Sequence, residues 1–198
     1  MTESPATAQP ARARHDFTAS ARWVAGATVL ALLGIAVASW LLHHPSLAAA
    51  RTAAALRTMP APAAVSMPVE RVRAAAVADT FGAPRGRDRS HQGVDIFAPH
   101  GTAVLSATEG LVVAVREQGL GGRQVWVLGP AHERHYYAHL DDWAPGLRAG
   151  DRVRAGTRLG TVGDTGNARG TPPHLHYGIY TAAGAVDPLP RLRARDTD

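Results

Sequence analysis

The residues best suited to chemistry in this chain are histidines, and their spacing is informative. TPPHLHYGIY, residues 171–180, carries His174 and His176 one residue apart. Two prolines precede the pair, and aromatic and β-branched residues follow, which reads as the start of a strand. Side chains at i and i+2 of a strand share a face, so both rings project into one space. Two neutral imidazoles side by side suit a metal, a proton-transfer pair or a coincidence of packing. SHQGVDIFAP adds His91 and Asp95, four apart and again on one face of a continuous strand, able to reach one ion at about 2.0–2.2 Å. YYAHLDD adds His139, which alone reads as a partly buried strand histidine. His100, His132 and His135 read as surface histidines, in a turn, a polar loop and a strand start. Spacing by itself lets both His174 and His176 act as ligands with His91 and Asp95. Together these residues supply three ligands and at least one spare imidazole, as a catalytic zinc site needs when its fourth position is left to water.

The composition narrows the choice of metal chemistry. Among 198 residues there is no cysteine, so disulfides and thiolate sites are excluded and any metal is held by His, Asp or Glu. Lysine is also absent, so every basic residue is arginine. A formal net charge of +5 suits an acidic partner such as nucleic acid, anionic lipid or an anionic wall polymer, and equally suits an arginine-rich solvated surface. No recognition-helix or stacking-strand pattern accompanies the charge, so nucleic-acid binding is not expected.

Short strands must position these side chains. Candidate strands lie at Val69–Arg73, Val94–Phe97, Ala103–Ala107, Leu111–Glu117, Gln124–Leu128, His135–His139, Arg158–Val162 and Leu175–Tyr180, cut by glycine and proline. Many short strands with closely spaced turn signals predict an all-β sandwich or barrel-like domain, and no segment past residue 78 shows a helical period. HGTAVLSATEGLVV and AGDRVRAGTRLGTV are weakly alike, in the manner of hairpins in biotinyl-carrier barrels. The lysine that such carriers modify is missing, which excludes a swinging-arm carrier.

The N-terminal part has a different character. Trp23 to Leu42 contains no charged residue, and at about 1.5 Å per residue it spans roughly 30 Å, the hydrocarbon thickness of a bilayer. Trp23 and Trp40 lie near its ends, where indoles favour the interface, and Arg12, Arg14 and Arg22 precede it. The positive-inside rule places residues 1–22 in the cytoplasm, a transmembrane anchor at 23–42, and the remainder on the periplasmic or extracytoplasmic side. A cleavable signal peptide is the competing reading, with small residues available in SLAAA at 46–50. Residues 43–66, rich in Ala and Pro, are expected to form a linker. A folded domain is expected at 67–190, and a charged, frayed tail at 191–198.

Three blocks, RSHQGVDIFAPHGTAV, YYAHLD and GDTGNARGTPPHLHYGI, resemble in order and approximate spacing the lysostaphin-type family of zinc endopeptidases that cut peptidoglycan peptides. The resemblance covers residues 67 to 189. It implies antiparallel sheets forming a groove for an extended peptide, with zinc held by His91, Asp95 and His176. It also implies that His139 and His174 are catalytic: they would accept the water proton, pass it to the leaving amine and stabilise the oxyanion, in an order that spacing does not assign. Peptidoglycan peptides are the implied substrate, and a protein regulator is a possible partner. Many relatives carry Phe and Glu where this chain has Tyr177 and Gly178, so an altered pocket is expected. Some relatives place an oxyanion-steadying tyrosine before the first ligand. Here that region is APRGRDRS, in which Arg85 or Arg87 is the available replacement, or the loop is simply solvated and basic. A different class of relative, the non-catalytic modules that activate other wall hydrolases, usually lacks one or more zinc-site residues. All five are present here.

Overall fold

The computed structural model describes residues 17–195, with side chains from Arg22 onward. The chain divides into two units, Met1–His44 and Pro45–Asp198. Of the first, the described part is one helix, α1 (Phe17–His43), whose apolar side chains are exposed: Trp23 is 81% exposed, Leu30 71% and Ile35 66%. Within it, Arg22–His43 is long and apolar enough to cross a membrane, a test that a signal sequence near an N-terminus also passes. Residues 1–16 of the expected cytoplasmic segment lie outside the described residues.

The second unit is built on one antiparallel sheet system. Its strands are β1 (Val94–Phe97), β2 (Ala103–Leu105), β3 (Gly110–Glu117), β4 (Arg123–Leu128), β5 (Arg134–Trp143), β6 (Arg152–Val153), β7 (Arg158–Val162), β8 (His174–Thr181) and β9 (Gly184–Val186). The main path runs β1-β8-β5-β4-β3-β6, with β7 pairing to β2 and β5, and β9 pairing to β8. Every recorded pairing is antiparallel. The all-β expectation therefore holds for the sheet. Val69–Arg73 is not a strand: Val69 makes an isolated bridge to Val104, and Arg71 at φ 63° turns the chain out of extended geometry.

Alternation along the central strands separates core from groove. On β8, Leu175, Tyr177 and Ile179 are fully buried in the core, while His174, His176 and Gly178 alternate with them on the opposite face. On β1, Val94 and Ile96 face the core and Asp95 faces the groove. Burying each large aliphatic side chain stabilises the sheet by roughly 1.5–3 kcal/mol, which pins the register and so decides which residues share the groove.

The segment expected to be a linker is partly a structural element. Pro45–Thr58 forms α2, with Leu56 buried against Leu111 and Leu128. Ala-rich sequence favours helix, and Pro60 ends it. Beyond it, Val65 is 1% exposed, and its N–H donates to the Arg191 carbonyl at 3.0 Å. The described part of the expected tail, residues 191–195, is also anchored, and residues 196–198 lie outside the described residues. Leu189–Ala194 forms α3, Leu192 is 1% exposed, and Arg191 pairs with buried Glu133 at 2.7 Å. Six residues are too few for a helical period to register.

Candidate metal centre and cleft

Neighbouring strands bring the two halves of the site together. In the β1–β8 register, Asp95 lies opposite His176 and Phe97 opposite His174. In the β5–β8 register, Ala138 lies opposite His176 and Tyr136 opposite Gly178. His91 precedes β1, and its imidazole turns onto the same face. The donor atoms form a near-equilateral triangle: His91 Nε2 to His176 Nδ1 is 2.9 Å, and Asp95 Oδ1 lies 3.1 Å from each. A tetrahedral zinc with bonds of about 2.0–2.1 Å spaces its ligand atoms about 3.3 Å apart. The donor set and its spacing therefore fit a zinc-like ion. Among the described residues this is the one group of three or more His, Asp or Glu side chains arranged to hold a metal.

The surroundings orient these donors. His91 Nδ1–H donates to the Thr80 carbonyl at 2.8 Å, which leaves Nε2 as a lone-pair donor. Burial raises the Asp95 carboxyl pKa, but before an ion binds its close contacts with His176 and His91 outweigh this and hold the group well below the usual carboxylate range. Asp95 is thus a permanent anion. Burial lowers the His176 pKa, keeping its imidazole neutral and able to ligate. A side chain on Gly93 would put its Cβ 2.9 Å from His176 Nε2, so only glycine lets the ring lie where it does.

His139 reaches this face by a backbone irregularity. Strict alternation after groove-facing Tyr136 and Ala138 would turn His139 into the core beside Tyr137. The β4–β5 register instead moves from Val125↔Tyr137 to Arg123↔Leu140, so Ala138 and His139 together oppose Gln124 in a β-bulge. His139 itself has φ 64°, a conformation that costs a non-glycine residue of order 1 kcal/mol. The bulge places His139 at 5.0 Å centroid distance from His174 and 6.0 Å from His176. Its Nδ1–H donates to the Thr165 carbonyl at 2.8 Å, and His174 Nδ1–H donates to the Pro172 carbonyl at 2.8 Å. Both rings therefore keep an unprotonated Nε2. That of His174 lies 3.9 Å from Asp95 Oδ1. Burial lowers the His139 pKa to about 4, so it is neutral at physiological pH.

All five expected residues thus converge on a cleft of about 680 Å³, whose wall includes Arg85, Leu120, Tyr136 and Tyr180. The remaining expectations divide. His100 is exposed and pairs with Asp141 at 3.4 Å, and His132 is exposed. His135 is not a surface histidine: it is 0% exposed and hydrogen-bonds the Tyr177 hydroxyl at 2.8 Å. Its place in β5, alternating with Tyr136, was the available signal. Tyr177 is a core residue rather than part of the pocket, whereas Gly178 lies on the groove face. Arg87 is exposed, and Arg85 hydrogen-bonds Asp95 Oδ2.

Known proteins similar in sequence and fold are peptidases. The L-Ala--D-Glu endopeptidase of Bacillus subtilis (strain 168) is 38% identical over 126 residues, covering 58% of this chain and 39% of that protein. The peptidoglycan DD-endopeptidase ShyC of Vibrio cholerae serotype O1 is 35% identical over 95 residues, covering 46% of this chain and 20% of that protein. The chain thus spans well under half the length of these curated relatives. Among solved structures, the catalytic domain of the antimicrobial peptidase lysostaphin from Staphylococcus simulans matches with TM-score 0.53 and 31% identity, covering 59% of this chain and 91% of that one. The model of peptidase family M23 matches residues 89–188, which contain His91, Asp95, His139, His174 and His176. With half of its length matched by that model, the chain belongs to peptidase family M23.

Proposed function

We propose that this protein is a zinc-dependent endopeptidase, tethered to the cytoplasmic membrane by α1, that hydrolyses peptide bonds of peptidoglycan on the extracytoplasmic side. The observation that carries the reading is the pairing of a three-donor triangle with two imidazoles whose Nε2 atoms remain free. His91, Asp95 and His176 would hold the ion. A bound zinc supplies Lewis-acid polarisation of the scissile carbonyl and raises the acidity of the attacking water. His139 and His174 carry the proton. Each has Nδ1–H committed to a carbonyl, so either Nε2 can accept the water's proton and then donate it to the leaving nitrogen. The other Nε2, likewise without a hydrogen, can accept a second hydrogen bond from the same water and so orient it. Relatives named as peptidoglycan and L-Ala--D-Glu endopeptidases support the substrate class. The open groove along β5 and β8 suits an extended peptide.

The test is mass spectrometry of purified peptidoglycan incubated with the full zinc-loaded chain in detergent. New peptide termini are expected, and they should vanish on chelation. His176→Ala should lose zinc and cleavage together. His174→Ala should retain zinc and lose roughly 10²–10⁴-fold in rate. Wild-type protein carrying one zinc but yielding no products would overturn the reading.

A further inference from the structure

Arg85 belongs to none of the roles assigned above, and its placement is specific. Residues 82–91 fold back on themselves. Gly82 N–H donates to the His91 carbonyl, His91 N–H to the Ala83 carbonyl and Arg85 N–H to the Arg89 carbonyl, each at 2.8 Å. Gly86, at φ 78°, makes the turn. The doubled-back loop carries Arg85 over the ligand that lies ten residues later in the chain. Its Nη2 donates to Asp95 Oδ2, while Oδ1 of the same carboxylate faces His91 Nε2 and His176 Nδ1. The same Nη2 lies 3.1 Å from His91 Nδ1, but that nitrogen's hydrogen is already given to Thr80, so the guanidinium's hydrogen bond goes to the carboxylate. Arg85 is 44% exposed at its side chain and the Asp95 side chain 8%, so a solvent-facing cation reaches inward to a buried anion.

We propose that Arg85 is a positioning residue of the metal centre: by holding Asp95 Oδ2 it leaves only Oδ1 turned toward the two histidine nitrogens, making Asp95 a one-oxygen ligand. The role differs from the oxyanion-steadying one expected from the resemblance. It rests on the reading of His91, Asp95 and His176 as metal donors. A carboxylate free to rotate can present both oxygens and crowd the open position, and fixing the outer oxygen prevents this. Groups that hydrogen-bond metal ligands typically govern affinity by 10–100-fold.

The experiment measures zinc affinity of the full chain in detergent by chelator competition, with cobalt spectra of the same proteins. Arg85→Met should weaken zinc binding roughly 10- to 100-fold and lower the visible absorption of the cobalt form, as a second carboxylate oxygen raises the coordination number. Arg85→Lys, which keeps the charge but presents a single donor head, should fall between the two and serves if Arg85→Met does not fold. Arg87→Met, removing a charge from the same loop, should leave affinity within about threefold, because exposed charges are screened. Unchanged or tighter zinc binding in Arg85→Met with an unchanged cobalt spectrum overturns the proposal, as does an Arg85→Lys protein indistinguishable from wild type. Wild-type protein that binds no stoichiometric zinc would instead overturn the metal reading on which it rests.

Discussion

At the scale of single residues, the histidines sort by what their nitrogens touch. His91, His139 and His174 each give Nδ1–H to a backbone carbonyl, a tautomer-fixing contact that sequence spacing does not reveal. His135 is different: it is enclosed in the core, with its Nδ1 on Tyr177 and its Nε2 without a hydrogen-bond partner. Burial lowers its pKa to about 3, as burial lowers that of His139 to about 4, against an ordinary value of 6.5. As pH falls below 6.5 the unfolded chain takes up these protons first, so folding free energy is lost progressively, down to about pH 4 for His139 and about pH 3 for His135. Urea unfolding of the chelator-treated full chain should therefore show its midpoint dropping between pH 6.5 and 4.5. His135→Gln removes the titrating ring while keeping a partner for Tyr177. It should flatten the dependence by roughly 1 kcal/mol per pH unit; an unaltered slope would show that His135 does not carry it.

At the scale of elements, the strands were legible where one face is apolar. Val94–Phe97 and Arg158–Val162 have the bounds that alternation and glycine punctuation indicate, and β8 differs by a single residue at each end. The bulge in β5 was not legible, because it arises from the mismatch between β4 and β5 and not from any residue that demands it. Helix α2 was obscured by its own composition. An Ala-rich stretch next to Pro reads as a spacer, and its burial rests on one leucine meeting two others from β3 and β4. Leu56 is 4% exposed, so Leu56→Ala should destabilise the folded unit by about 2–3 kcal/mol in chemical denaturation. No loss of stability would mean that α2 behaves as the flexible spacer its composition suggests.

For the molecule as a whole, one exposed apolar helix precedes a folded unit that begins at Pro45. With Arg22–His43 spanning a bilayer, the chain should sediment with membranes and resist extraction by alkaline carbonate. Deleting residues 17–43 should release the remainder into the soluble fraction. A wild-type chain recovered as a shorter soluble product would instead show α1 to be a cleaved signal. Protease added outside spheroplasts should digest the second unit if the arginines before α1 set its orientation.

Residue types and their spacing determined which side chains could take part: histidine and aspartate donors on alternating strands, no thiolates, and an apolar span near the N-terminus. These are one-dimensional properties, because a strand's period of two and a helix's length are local consequences of covalent geometry. Tertiary structure alone decided how those side chains are used. It selected His176 Nδ1 for the donor triangle, swung His139 out of the core through a bulge, and folded Arg85 back onto the far oxygen of Asp95. It also turned parts of the expected linker and tail into elements of the fold. Each of these depends on contacts between residues distant in the chain, whose geometry is set by cross-strand register and packing rather than by neighbours in sequence.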